Sequence, residues 1–334
     1  MIDLRTEYLG LKLDNPLVPS SSPLTGNYDT ARQLEDAGAA ALVLPSLFEE
    51  AVETEQKQLE RYVYSQALGN FEAESFQPVP EDYNSELDNY LDHLTKLKSS
   101  LDIPVIASLN GISSSGWIDY GKELQQAGAD ALELNVYYIA ADPRVTGDQV
   151  EARYINLLSD LIHHVNIPVT MKLSSQFSSL PSMVIKLQNT GARGIVLFNR
   201  FYQPDIDLET LRISPRLELS NSGEALLRIR WIALLRNRIN MSIAATGGFI
   251  QAEDIIKALL AGADVAYLCS ALLKHGPEYL SSLKQEIIDW LTEKEYESVM
   301  QMKGSVSQEC AIDPAAYEHN NYYHVLRSYS ITDE

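Results

Sequence analysis

Four segments of the chain repeat one alternation of apolar and polar positions: "LEDAGAAALVL", "LQQAGADALEL", "LQNTGARGIVL" and "LLAGADVAYL". In each, apolar residues at helical spacing run up to Gly38, Gly128, Gly191 or Gly262, and a short apolar stretch follows. Glycine accepts the left-handed backbone that ends a helix, so the pattern predicts helix, turn and strand in quick succession. Two further strands open alike, in "DIPVIASL" and "NIPVTMKL", with proline at the one place where no ladder donor is lost. "NPLVPSSS" and "MSIAATGG" complete a set of eight, at about residues 16–21, 40–45, 104–109, 131–136, 168–173, 194–199, 242–246 and 264–269. Continuously apolar strands that alternate with helices predict a parallel sheet covered on both faces. Eight such units predict an α/β fold of the (β/α)8 barrel type, with a doubly wound open sheet as the alternative.

The spacing is uneven. Residues 46–103 separate strands two and three, and residues 200–241 separate strands six and seven. Extra length in such loops falls on the catalytic face of a barrel, which makes both candidate lids. The first holds an insertion at about 51–100, acidic and aromatic in "RYVYSQALGNFEAESFQPVPEDY", with a helix predicted over residues 85–98. It reads equally as a solvated insertion or as a cover over the site. The barrel is assigned to residues 1–304, and residues 305–334 form a C-terminal extension that is either tacked down or part of an oligomer contact.

Charge narrows the partners. The chain of 334 residues has 26 Lys and Arg against 46 Asp and Glu, a formal net charge of −20, so its field repels nucleic acid and anionic membrane surfaces. Its two cysteines, Cys269 and Cys310, have neither a disulfide-type nor a metal-type spacing. The N-terminus "MIDLRTEYLG" lacks the apolar segment of a signal peptide. The run from Ile255 to Leu273 carries Lys257 and Asp264 and reads as helix, turn and strand rather than a membrane span. The expectation is a soluble cytoplasmic protein.

In a barrel, chemistry sits at the carboxyl ends of the strands. Those ends read Ser20, Ser21 and Ser22; Pro45 and Ser46; Asn110; Asn135 with Tyr137 and Tyr138; Lys172 with Ser174; Asn199; Gly247 with Gly248; and Ser270. The ring has amides, hydroxyls and one lysine, with neither a carboxylate pair nor a histidine. Glycoside hydrolysis and a dedicated metal site both lose ground. "ATGGF" and "CSAL" follow the last two strands, where barrels commonly hold phosphate, and bare glycines let backbone N–H groups approach its oxygens. "NSGEAL" offers a further glycine just before a helix.

Lys172 lies on an apolar strand, where a lysine needs a partner. Three readings stand: a lysine snorkelling to the rim, a Schiff-base lysine of an aldolase, or a cation beside the pyrimidine end of a flavin. The last fits the phosphate loops best. His163 and His164 read as surface residues, and the six arginines between Arg212 and Arg238 as one solvated helix face.

At these residues the chain resembles the dihydroorotate dehydrogenase family of FMN-dependent (β/α)8 barrels, in particular its soluble class 1 branch. The resemblance covers roughly residues 1–304 and rests on "LGLKLDNPLVPSSSP", "ELN", "VTMKLS", "LFNR", "ATGGFIQAEDIIKALLAGADVAYLCSALLKHGP" and "EYESVMQMKG". It implies that Gly247, Gly248, Ser270 and Ala271 hold the FMN phosphate, with Gly223 and Ser222 nearby. It implies that Lys172 and Asn135 contact the flavin and its ribityl chain, and that Ser20, Ser21 and Ser22 line the ring through their backbone. Asn199 would reach the substrate, with Asn110 and Asn135 on the same side.

The departures lie on the substrate side. Three residues after the asparagine of the fourth strand the family carries a catalytic cysteine or serine; this chain has Tyr138. Where the family has a lysine after the second strand, this chain has Pro45. Tyrosine is a better proton donor than acceptor near neutral pH, so Tyr138 is the candidate donor for reduction of an activated C=C bond, with Lys172 as the second catalytic residue; the alternative is that Tyr137 and Tyr138 pack under the lid. The resemblance thus implies an FMN oxidoreductase exchanging hydride with a CH–CH or C=C bond of a small, orotate-like substrate. Its electron partner would be soluble or a separate protein, and the enzyme a homodimer. A true dihydroorotate dehydrogenase of pyrimidine biosynthesis, a barrel binding FMN or a phosphometabolite without redox turnover, and a Schiff-base lyase are the alternatives.

Overall fold

The computed structural model describes residues 2–52, 54, 55, 57, 84–111 and 117–328. Eight parallel strands form one sheet: β1 (Leu17–Pro19), β2 (Leu42–Phe48), β3 (Val105–Asn110), β4 (Ala131–Asn135), β5 (Val169–Leu173), β6 (Gly194–Leu197), β7 (Ser242–Thr246) and β8 (Val265–Leu268). From β2 to β8 each pairs with the next in chain order, and β8 returns to pair with β1. Between β1 and β2 a single bond, from the Ala40 amide to the Leu17 carbonyl at 3.0 Å, brings the ends together. The chain is therefore a (β/α)8 barrel, and all eight predicted strands are present.

Around it stand α1 (Tyr28–Asp36), α2 (Glu86–Ser100), α3 (Trp117–Gln126), α4 (Gly147–Ile162), α5 (Leu180–Thr190), α6 (Ser222–Leu235), α7 (Ala252–Ala261), the short α8 (Ser270–His275) and α9 (Tyr279–Glu293). The four repeated glycines have φ between +100° and +122°, the left-handed conformation expected of them. Helix α2 begins at a capping box, with the Ser85 hydroxyl accepting from the Asp88 amide, and buries Leu94 and Leu97 against the barrel. It is an ordinary barrel helix, so the insertion after β2 is shorter than the 51–100 read from sequence. The cover expected of "RYVYSQALGNFEAESFQPVPEDY" falls on residues 61–83, outside the described ones.

Period-two alternation divides the strands between two cores. Outward residues such as Leu132, Leu134, Met171 and Ile195 join the shell against the helices. Inward residues Val18, Val43, Ile106, Val196 and Val265 join a smaller cluster with Tyr8, Leu9 and Leu13. Those last three come from an N-terminal hairpin, Thr6–Tyr8 against Leu11–Leu13, whose two-residue turn has φ +56° at Leu9 and +81° at Gly10. The hairpin plugs the amino end of the barrel: Tyr8 is fully buried, and a Cβ on Gly194 would lie 2.5 Å from Leu9 Cδ2. The carboxyl end is left open.

The loop after β6 carries a second hairpin, Pro204–Asp207 against Arg212–Pro215. It exposes Ile206, Leu208, Leu211 and Ile213. The C-terminal segment is fastened by the Gln308 amide to the Ala233 carbonyl at 3.1 Å and then runs into an exposed helix, His319–Ser328. Among the described residues no helix is long and apolar enough to cross a membrane.

Candidate functional site

The carboxyl ends of the strands open into a cavity of about 810 Å³. Ser20, Ser21, Ser22, Asn110, Asn135, Lys172, Asn199, Gly247, Gly248 and Ser270 all line it. Four other sequence candidates do not. Ala271 is fully buried behind Ser270 in the first turn of α8. The Ser222 hydroxyl donates to Asp254 Oδ2 at 2.7 Å, tying the start of α6 to the start of α7. The Gly223 amide is taken by its own cap, Asn221 Oδ1, at 3.0 Å.

Tyr138 is the fourth. Along β4 and beyond it, Glu133, Asn135 and Tyr137 face the barrel interior and the cavity, while Leu134, Val136 and Tyr138 face the helices. The Tyr138 ring accordingly packs on the outer core, with the Arg153 guanidinium of α4 stacked 4.1 Å from its centre. The expected proton donor is turned out of the cavity. Its neighbour Tyr137 lines the wall and packs on Phe201, ring centres 4.1 Å apart.

One end of the cavity is built from backbone. Gly247 and Gly248 have φ of +87° and +93°. A Cβ on Gly248 would lie 2.4 Å from the Ala225 amide nitrogen of α6, so the turn is packed directly onto that helix's first turn. Behind Gly247 the Arg228 guanidinium is buried, donating to the Thr246 carbonyl at 3.2 Å and the Glu224 carbonyl at 2.8 Å. Burial pushes its pKa down, against the pull of Glu224. Arg228 thus departs from the solvated face read from helical spacing. At the end of the adjacent strand β8 the Ser270 hydroxyl accepts from the Ser220 amide at 3.1 Å, at the start of α8. A glycine turn beside two helix starts concentrates N–H groups at one place, as an anionic group requires.

The floor is ionic. Lys172 Nζ donates to Glu133 Oε1 at 3.2 Å, and Glu133 is fully buried within the barrel. A buried lysine needs such a partner, and the pairing favours a fixed cation over a Schiff-base amine. Glu133 Oε1 also accepts from the Ser108 hydroxyl at 3.3 Å, and Ser108 bonds Ser46 on the cavity wall at 2.8 Å. Deeper still, Tyr267 donates to Tyr8 at 3.0 Å, and burial raises the pKa of both hydroxyls. Near the rim, Asn199 Nδ2 donates to Asn135 Oδ1 at 2.7 Å. Cys269 lines the wall, where burial raises its thiol pKa more than Lys172 and Arg200 lower it, which makes it a poor nucleophile.

Glu133 does not stand out in the sequence as a site residue, and Ser46 appears there only as a strand-end residue with no role attached. Their signal is parity: Glu133 is two residues before Asn135, on the same face of the strand. Ser46 is less legible, because the β2–β3 register shifts between Val43 and Ser46. That irregularity turns Ser46 to the same side as Val43, three residues away, and places Pro45 where its missing N–H is tolerated.

Fold and site together define a barrel enzyme with a glycine turn packed on a helix start at one end of its cavity and a buried lysine–glutamate pair at its floor. The sequence profile of the dihydroorotate dehydrogenase family matches residues 3–291. The catalytic subunit of dihydroorotate dehydrogenase B (NAD(+)) of Thermoplasma acidophilum is 25% identical over 312 residues, covering 91% of this chain and 99% of that protein. Dihydroorotate dehydrogenase A (fumarate) of Lactobacillus delbrueckii subsp. bulgaricus is 26% identical over 278 residues, 81% of this chain and 88% of that one. The chloroplastic dihydropyrimidine dehydrogenase (NADP(+)) of Arabidopsis thaliana is 23% identical over 326 residues, 90% of this chain and 76% of that one. The chain belongs to the dihydroorotate dehydrogenase family and is an oxidoreductase acting on CH–CH donors.

Proposed function

We propose that the protein is an FMN-dependent oxidoreductase that exchanges hydride between the flavin and a CH–CH or C=C bond of a small substrate. The observation that carries this reading is the joining of the Gly247–Gly248 turn and the start of α8 to Lys172 within one cavity. The donor set fits the cofactor: backbone N–H groups with no space for a Cβ suit the phosphate, and a paired lysine suits the electron-accepting end of the ring. Its volume lies within the range of small-molecule and cofactor sites.

When bound, FMN would supply the centre that accepts or gives hydride. The chain's own part is to bind, orient and balance charge. Gly247, Gly248 and the Ser270 amide would hold the phosphate, while Ser20, Ser21 and Ser22 border the ring. Lys172 presents a fixed positive charge where electron density arrives, and its position is set by Glu133. Asn110, Asn135 and Asn199 offer amide donors and acceptors to the substrate, with the Asn199–Asn135 bond holding two of them in register. The electron partner would be a soluble molecule or separate protein. The apolar residues exposed on the hairpin after β6 support a homodimer, which sedimentation equilibrium measures directly.

Dihydroorotate itself is expected to be a weak substrate. Its carboxylate would meet Pro45 where the family has a lysine, and a charged hydrogen bond contributes about 1.5–3 kcal/mol. Pro45 lines the cavity, so Pro45→Lys is expected to tighten orotate binding by about 10-fold or more, read by flavin absorbance titration. Low-micromolar orotate affinity in the unmodified protein would instead favour a true dihydroorotate dehydrogenase.

A further inference from the structure

Oxidation of a CH–CH bond next to a carbonyl removes one hydride and one proton, and the proton needs an acceptor on the cavity wall. With Tyr138 turned outward, the family's usual position supplies none. We propose that Ser46 is the catalytic group that takes this proton and that Ser108 and Glu133 carry it into the barrel. This rests on the flavin reading of the same site.

The hydrogen bonds fix the direction of the relay. Ser108 donates its only hydroxyl hydrogen to Glu133 Oε1 at 3.3 Å, so across the 2.8 Å contact Ser46 is the donor and Ser108 the acceptor. Every hydroxyl hydrogen then points toward the carboxylate, which leaves the lone pairs of Ser46 free to face the cavity it lines. Glu133 is fully buried, and among the described residues its Oε2 has no hydrogen-bond partner. The relay ends on Oε1, the oxygen that Ser108 and Lys172 share, so the proton enters the carboxylate at the ion pair itself.

The step balances. The C–H bond beside the carbonyl breaks, and its electron pair forms the C=C bond as hydride leaves the adjacent carbon for the flavin. The substrate is oxidised and the flavin reduced. The released proton goes to Ser46 Oγ, the Ser46 hydrogen to Ser108 Oγ, and the Ser108 hydrogen to Glu133. Glu133 becomes neutral, so the Lys172 charge is no longer offset just as electron density reaches the cavity beside it. Proton and hydride transfer are thereby coupled through one ion pair, and reduction of a C=C bond runs the same path in reverse.

The test uses the FMN-bound full chain under anaerobic conditions, with dihydroorotate and 5,6-dihydrouracil as reductant probes. Ser46→Ala and Ser108→Ala are expected to slow flavin reduction by about 10²-fold or more with FMN content unchanged, and Ser46→Thr to restore much of the rate. Deuterium on the carbon beside the carbonyl is expected to give a larger isotope effect in Ser46→Ala than in the unmodified protein, with no matching change at the hydride carbon. Equal rates and equal isotope effects in both alanine variants would overturn the relay. If neither probe reduces the unmodified protein, the CH–CH donor reading fails for these substrates and the relay is judged by infrared difference spectra on dithionite reduction. A protonated-carboxyl band that appears in the unmodified protein and is absent in Glu133→Gln supports it; no such band in the unmodified protein contradicts it.

Discussion

Gly248→Val is expected to give a protein that retains no FMN through gel filtration and unfolds at markedly lower denaturant. Two effects add. The backbone at Gly248 has φ +93°, which a β-branched residue adopts only under strain of about 1–3 kcal/mol. The new Cβ would also lie 2.4 Å from the Ala225 amide nitrogen, 2.8 Å from the Asn221 carbonyl oxygen and 2.9 Å from the Glu224 carbonyl carbon. These are backbone atoms of the α6 start and cannot swing aside, so the turn must move away from the helix. Together the losses are expected to exceed about 4 kcal/mol, the range reserved for severe local damage. Gly10→Ala serves as the comparison: it has φ +81° but nothing within 4 Å of the added atom, so it reports backbone strain alone. Full flavin retention by Gly248→Val would mean that the turn is not the phosphate cradle.

Lys172→Met is the second change with a large expected effect, and its partner decides the size. Removing the ammonium leaves Glu133 as a fully buried carboxylate with, among the described residues, only the Ser108 hydroxyl to satisfy it. Breaking a buried pair in this way costs about 3–5 kcal/mol, because the remaining charge is uncompensated. In the double variant Glu133→Leu/Lys172→Met no charge is stranded, and most of the lost stability is expected to return. Urea unfolding of the flavin-free forms gives the coupling energy directly. Additive losses would mean that the pair does not act as a unit, and the charge logic at the cavity floor would lose its basis.

Much of the barrel was legible because its rules are local. A glycine that ends a helix, a proline that opens a strand and an unbroken apolar run each leave a mark in sequence, and the eight strands fall within about three residues of where those marks put them. The glycine-turn side of the cavity was legible for the same reason: Gly247, Gly248 and Ser270 follow recognisable strands and line it. What failed was the direction of side chains. Tyr137 and Tyr138 look alike in a sequence, but the alternation of β4 continues past Asn135 and sends one to the cavity and the other to Arg153. Counting parity from Asn135 would have separated them and would have placed Glu133 beneath the site. Ser46 resisted even parity, since the register shift in β2 depends on how that strand meets β3. Arg228 was misread because helical spacing describes a helix alone, whereas its burial comes from the glycine turn after the next strand.

The absorption spectrum of the freshly purified protein, followed by quantification of flavin released on denaturation, tests the central claim most directly. The expected result is a yellow protein that releases FMN at about one per chain, with Gly248→Val colourless. A colourless protein that takes up no added FMN would contradict the account.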